Sequence, residues 1–212
     1  NYTEAAYGLD SHGTFAIMMA YLSDYYDNYY EPAERFLEPY VKAGSEYKAC
    51  MLTTVRYRAI VVIFYQMKDP EKIRNWYEKQ VIPAAYRTLE HAPIFSWTVC
   101  QGLAEFSAGF EKLEHARMWK LCFPEGNLMT EEQIGATQTV PIKYSLDLES
   151  QLKQAVVKRD KEAYDRILEQ IITYCVEEPH HPDEIRESWT RLVVALVTVS
   201  DSMGRGTDNI SM

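Results

Sequence analysis

Basic charge, long apolar runs, glycine-rich motifs and paired cysteines are what this sequence has least of, and each shortage removes a class of function. Lys and Arg number 22 against 31 Asp and Glu, for a formal net charge of -9 and a pI near 5.1. Holding phosphate backbones takes a concentration of Lys and Arg that is missing here, so this chain by itself is not expected to bind nucleic acid. An acidic surface also repels an anionic membrane. No stretch approaches the roughly 20 apolar residues of a transmembrane helix, and no basic-then-apolar leader opens the chain, so the expected compartment is the cytoplasm. Cys50, Cys100, Cys122 and Cys175 are far apart and mostly inside apolar runs, where a free thiol packs as a small hydrophobe. Neither a disulfide nor a metal role is expected of them. No G-x-S-x-G, P-loop, dinucleotide glycine pattern or Cys-x-x-Cys pair occurs.

What is present is ample apolar material, 47% of 212 residues, enough for one substantial core or a domain with a helical appendage. Thr14 to Leu22 (TFAIMMAYL) is a nearly continuous apolar run, as a buried central strand requires. Pro32 then suits the first turn of a helix carrying Phe36, Leu37, Tyr40 and Val41 on one side and closed by Gly44. Lys48 to Val55 and Ala59 to Tyr65 are β-rich runs joined by Arg56-Tyr57-Arg58, too short a joint for a helix, so they form a hairpin. Asp69-Pro70-Glu71 caps a helix with Ile73, Trp76, Tyr77, Val81 and Ala84 inward, kinked at Pro83. Phe95 to Cys100 is a further strand. Leu103, Phe106, Phe110, Leu113, Arg117 and Leu121 follow it at helical spacing. The order is β-α-β-β-α-β-α, an α+β fold with a mixed sheet and helices on one face.

The second half reads as three amphipathic helices. Ser145 or Asp147 caps the first, with Leu148, Leu152, Ala155 and Val156 inward. Asp160 caps the next, with Tyr164, Ile167, Leu168, Ile171, Ile172 and Cys175 inward. After the polar turn Glu177 to His181, a third helix carries Ile185, Trp189, Leu192, Val193, Leu196 and Val197 and ends near Met203-Gly204. The domains expected are an α+β unit over 1–143, a helical segment over 144–204 and a polar linker over 205–212, which makes the chain read as a module of a larger protein. The helices cannot bury their faces singly, so Trp189, Leu192, Leu196, Tyr164 and Ile171 are the packing residues expected to couple them, either within the chain or across a homodimer.

The segment Phe110-Glu111-Lys112-Leu113-Glu114-His115-Ala116-Arg117, the acidic stretch through Glu132, Tyr144-Ser145-Leu146-Asp147-Leu148-Glu149-Ser150-Gln151-Leu152-Lys153-Gln154-Ala155-Val156 and Asp160-Lys161-Glu162 together resemble the central region of AraC/XylS-type transcription regulators. The resemblance covers most of the chain and is sharpest from Tyr144 to about Ile171. In that family a degenerate diguanylate-cyclase-like (GGDEF-like) domain precedes helices and then two helix-turn-helix units. The β-α-β-β-α-β order read above is also the order of the cyclase core.

Active cyclases of that class need carboxylates at the end of the first strand and in the central hairpin, to hold divalent metal against nucleotide phosphates, and a glycine-rich turn that lets backbone N–H groups approach them. Here the turn Val55-Arg56-Tyr57-Arg58 has neither glycine nor acid. Tyr21 and Ser23 occupy the metal-ligand positions after the first strand, leaving Asp24 and Asp27 as solvated or capping acids. No catalytic residue, metal or cofactor is therefore expected, and no ligand-binding residue is identified. His91 and His115, each in a Leu-Glu-His-Ala tetrapeptide, read as exposed helix-end histidines. His180-His181 reads as a solvated turn, and Tyr25, Tyr26, Tyr29 and Tyr30 as an aromatic cluster covering a sheet edge, lining an interface or stacking a ligand. The expected function is regulatory and non-enzymatic, passing a signal to DNA-binding elements that lie outside this sequence. The alternative is a sensor with a small-molecule effector between sheet and helices. A residual nucleotide enzyme ranks last.

Overall fold

Strand β1 (Thr14–Tyr21) organises the first half of the molecule because it is apolar on both faces. Successive side chains of a strand point to opposite sides. Ala16, Met18 and Ala20 thus enter one core, and Phe15, Ile17, Met19 and Tyr21 enter another. The computed structural model describes residues 10–22, 30–42, 44, 46–55, 58–123, 126–142 and 146–208, with Leu121, Leu146 and 204–208 described in their backbone alone. β2 (Lys48–Thr54), β3 (Ala59–Tyr65), β4 (Ile94–Gln101) and β5 (Leu128–Met129) complete a five-stranded mixed sheet in the order β2-β3-β1-β4-β5. All neighbours are antiparallel except β4 and β5. The fold is α+β, as the sequence pattern implies. The two-residue β5 is too short to leave a periodic signal.

Both faces of the sheet carry helices, which corrects the expectation of a single covered face. On one side lie α1 (Tyr30–Lys42), burying Ala33, Leu37 and Val41, and the pair α2 (Pro70–Trp76) and α3 (Ile82–Thr88), burying Ile73, Ile82 and Ala85. On the other side α4 (Phe106–Met118) lays Leu113 against Phe15, Ile17 and Cys100. A central strand with two apolar faces leaves hydrocarbon in water unless each is covered. The nearly unbroken apolar run of β1 already carried that requirement.

Asp69 caps α2, its carboxylate accepting from Glu71 N–H at 3.0 Å and Lys72 N–H at 3.2 Å. Between α2 and α3 runs a π-helical turn, Tyr77–Val81, in which Ile82 N–H donates to Tyr77 O, five residues back. Pro83 has no N–H to give, and its ring crowds the carbonyl four residues earlier. The π turn widens the helix just before that position, so proline is accommodated by a local change of register. The extra residue also shifts the buried stripe. Tyr77 is followed inward by Val81, Ile82 and Ala85, whereas Trp76 and Ala84, both expected inward, lie more exposed.

The β2–β3 hairpin pairs Thr54 with Ala59, and Arg58, in a left-handed conformation at φ 47°, donates its N–H to Val55 O at 3.2 Å. Arg56 and Tyr57 lie outside the described residues. After β5, Thr130 and Gln133 cap α5 (Glu131–Ala136) reciprocally, each side chain accepting the other's backbone N–H.

The chain divides into two compact units between Ala136 and Thr137, ahead of the boundary expected at 143/144. Residues 137–142 go with the helices because Val140 N–H donates to Pro179 O at 2.9 Å and Ile142 N–H donates to the Glu184 carboxylate at 2.9 Å. The second unit comprises α6 (Leu146–Lys158), α7 (Lys161–Glu177) and α8 (Pro182–Asp208), where three helices are expected. Ser145 lies outside the described residues. α8 continues past its expected end at Met203-Gly204 and takes in the first four residues of the supposed linker. Extending a formed helix adds a hydrogen bond for each residue fixed, so an isolated glycine slows it without stopping it.

α4 packs closely on β4 because Gly109 presents no side chain. A Cβ built there would stand 2.6 Å from Cys100 Sγ. Gly109→Ala gains about 1 kcal/mol of helix propensity but overpacks the site by roughly 1 to 3 kcal/mol, so a net loss is expected in urea unfolding. In a Cys100→Ala background the next contacts are Thr98 Cγ2 at 3.5 Å and Ile17 Cδ1 at 3.7 Å, and the same substitution should become neutral or stabilising.

Candidate functional site

Two places invite a functional reading, one in each unit. In the first, the C-terminal end of β1 meets the hairpin turn. Tyr21 pairs with Ala59, and Leu22 N–H donates to Arg58 O at 2.9 Å. The groups described there are an aromatic ring, a guanidinium and a carboxylate. Tyr21 is buried, and the Arg117 guanidinium lies 5.3 Å from its ring centroid, itself 3.5 Å from the Glu114 carboxylate. A fixed positive charge over an aromatic face is a poor neighbour for a divalent cation. Ser23, Asp24 and Asp27 lie outside the described residues. Among the described residues no group of three or more His, Cys, Asp or Glu is placed to hold a metal ion.

Thiol chemistry is disfavoured by placement at the buried Cys100 and Cys175. Burial pushes the Cys100 thiol upward, helped by the Glu105 charge, and burial likewise raises Cys50 and Cys175. A raised thiol stays protonated near neutrality and is a weak nucleophile. The Tyr77 hydroxyl is also raised, first by burial and then by Tyr47.

His115 is exposed in the last turn of α4, with Trp119 at 6.3 Å between ring centroids, and His91 follows α3 in a bend. Tyr30 opens α1 and packs on the core, while Tyr25, Tyr26 and Tyr29 lie outside the described residues. His180 departs from expectation: it is 1% exposed, not solvated. Its Nδ1 is 2.8 Å from Val140 O, its Nε2 is 3.3 Å from Tyr174 O, and its ring stacks on Tyr174 at 5.5 Å. The covering segment comes from forty residues earlier, and local sequence gives no hint of it.

The second place is the core of the helical unit. Leu152, Ala155, Ile167, Ile171 and Leu192 are buried together, with Tyr164, Trp189 and Leu196 partly buried around them. All five packing residues expected from sequence therefore belong to one cluster. Two details differ. Trp189, expected mid-stripe, is only partly buried, and Leu192 takes the centre at 1% exposure. Val193 and Val197, expected inward, are 54% and 53% exposed, and Ile172 is exposed as well. Each residue turns a helix by about 100°, so Val193 stands a quarter-turn away from Leu192 and leaves the contact stripe.

Sequence reasoning missed the polar fastening of this core. Glu149 is 8% exposed, its carboxylate 2.7 Å from Lys153 Nζ and 3.7 Å from Arg191 Nε, so it joins α6 to α8. The Glu149-Lys153 spacing is legible as a helical ion pair, but Arg191 comes from another helix. At the α6–α7 corner Arg159 takes φ 55°, with Arg159 N–H on Val156 O at 3.0 Å and Asp160 N–H on Ala155 O at 2.9 Å. This double bond pattern closes α6, and Asp160 then caps α7 by accepting Ala163 N–H at 3.0 Å. An open depression of about 200 Å³ lies at the same corner, lined by Val156, Arg159, Asp160, Lys161 and Tyr164 among others.

Leu192→Ala should cost about 2 to 5 kcal/mol in chemical denaturation, as truncation of a fully buried leucine does. Trp189→Ala should cost less despite the larger side chain. The reverse ranking would place the indole at the centre.

Among the described residues no helix is long and apolar enough to cross a membrane. No family model, curated protein or solved structure matches the chain.

Proposed function

We propose that this chain is a non-enzymatic regulatory domain of an AraC/XylS-type transcription regulator of the cytoplasm. Its α+β unit receives a signal or ligand, and its helical unit passes the resulting change to DNA readers outside this sequence. The observation that carries the reading is the pairing of a β-α-β-β-α-β core with a separate three-helix unit ending in the long α8. That element order is the one the family resemblance implies. The chemistry at the end of β1 fits the same reading. Among the described residues there, an aromatic ring beneath a guanidinium is a poor setting for metal against a triphosphate, and the sequence of the hairpin turn has neither glycine nor acid.

Transmission requires an element with two arrangements whose balance the signal shifts. The helical unit suits that role because its apolar contact is narrow and its outer face keeps Val193, Val194 and Val197 more than half exposed. Repacking α8 against α6, or pairing α8 with a second copy, would change what its far end presents.

Two assays test the reading on the purified chain. With GTP and magnesium or manganese, no cyclic dinucleotide should form above a heat-killed control, and turnover would make the chain an enzyme. In fluorescence anisotropy at low salt, the net charge of -9 and the lack of a basic recognition helix predict no salt-sensitive retention of duplex DNA. Micromolar binding would place the DNA reader inside these 212 residues.

A further inference from the structure

The outer face of α8 carries an exposed stripe whose chemistry differs from the rest of this acidic chain. From Leu192 to Ser200 the sequence Leu-Val-Val-Ala-Leu-Val-Thr-Val-Ser holds no charged residue, so this part of the helix is uncharged on every side. A helix of that kind is normally covered all round. Leu192 and Leu196 belong to the core of the helical unit, whereas Val193, Val194 and Val197 are 54%, 60% and 53% exposed. At about 100° per residue these three valines share one sector of the helix, turned away from Leu192 and Leu196. The same sector holds Arg186, Thr190 and Asp201, all exposed.

These six residues are placed symmetrically about a point between Val193 and Val194. Thr190 and Val197 lie at equal distances on either side of it, and Arg186 and Asp201 mark the two ends. Two copies of the stripe laid antiparallel about a two-fold axis at that point bring Val193 opposite Val194, Thr190 opposite Val197 and Arg186 opposite Asp201, each contact being made twice. The ends stand about 22 Å apart at 1.5 Å per residue, and the charges that meet there have opposite sign. A parallel pair would set Arg186 against Arg186 and Asp201 against Asp201, which repel. Arg186 also lies 2.9 Å from Asp183, but that pair is exposed and worth little, so the guanidinium can take a second carboxylate.

We propose that α8 is a self-association surface, its stripe from Arg186 to Asp201 pairing antiparallel with the same stripe of a second copy of this chain. The uncharged centre suits like meeting like, because two chains of net charge -9 repel wherever they present acidic faces to each other. About four turns of one helix make a small interface, so a dimer that forms in the micromolar range is expected in place of a permanent one. Pairing supplies a second arrangement of α8 that the regulatory reading can use, yet it does not depend on that reading.

Sedimentation equilibrium of the complete 212-residue chain, from low micromolar to hundreds of micromolar, tests the pairing. The parent chain should pass from monomer to dimer across that range. Val193→Glu should weaken the dimer by about tenfold or more, since each copy would then bury an unpaired carboxylate at the contact. Arg186→Asp and Asp201→Arg should each weaken it by about threefold or more, by setting like charges opposite each other at both ends. The double variant Arg186→Asp/Asp201→Arg should recover most of the parent affinity, because the same pairs form with their signs exchanged. All these positions are exposed, so thermal melting by circular dichroism below the dimer range should match the parent and separate lost pairing from lost fold. A chain that stays monomeric at hundreds of micromolar would overturn the proposal and leave the stripe to a different partner. A dimer indifferent to Val193→Glu, or single charge changes that the double variant does not rescue, would overturn it as well. A rescued dimer in a protein that regulates no transcription would uphold the pairing and refute the regulatory reading alone.

Discussion

The two-sided burial of β1 is the constraint on which the first unit depends. Its inward sets, Ala16, Met18 and Ala20 on one face and Ile17, Met19 and Tyr21 on the other, must each be roofed. Burial of each such side chain is worth on the order of 1.5 to 3 kcal/mol where it is large and apolar. Unusual local features serve that roofing. The π turn lets one helical stretch stay on the sheet despite Pro83, and Gly109 lets α4 approach β4.

The helical unit is organised differently. Its apolar seam is narrow, centred on Leu192, Ile171 and Leu152, and ion pairs rather than further hydrocarbon fasten its margin. Glu149 is mostly removed from water, so its pairing with Lys153 and Arg191 offsets a desolvation cost more than it adds stability. What it contributes is register: a slide of α8 along α6 would separate Arg191 from Glu149.

Much of the fold was legible where a signal is periodic or local. The apolar run of β1, the hairpin around Arg58, the Asp69 and Asp160 caps and the three helical stripes all rest on neighbours within a few residues. The placement of helices on both faces was also implicit in β1, whose alternate residues are all apolar. The features that escaped depend on distant partners: His180 is buried by Val140, Glu149 meets Arg191, and β5 is too short for a pattern. Stripe edges were the weakest reading, because hydrophobicity alone does not say whether a valine a quarter-turn away from the seam is covered. The five packing residues fall in one cluster because the set straddled the centre of the stripe, whereas a mid-stripe place in the sequence did not make Trp189 the most buried of them.

The proposed regulatory role has the state of the helical unit control a DNA-binding activity. The most direct measurement is signal-dependent reporter transcription by the proposed regulator carrying Leu196→Ala, a partly buried position at the seam's edge where the fold should persist. The account predicts that the ratio of induced to uninduced transcription changes by several-fold while operator binding is retained. A folded variant with an unchanged ratio would contradict it.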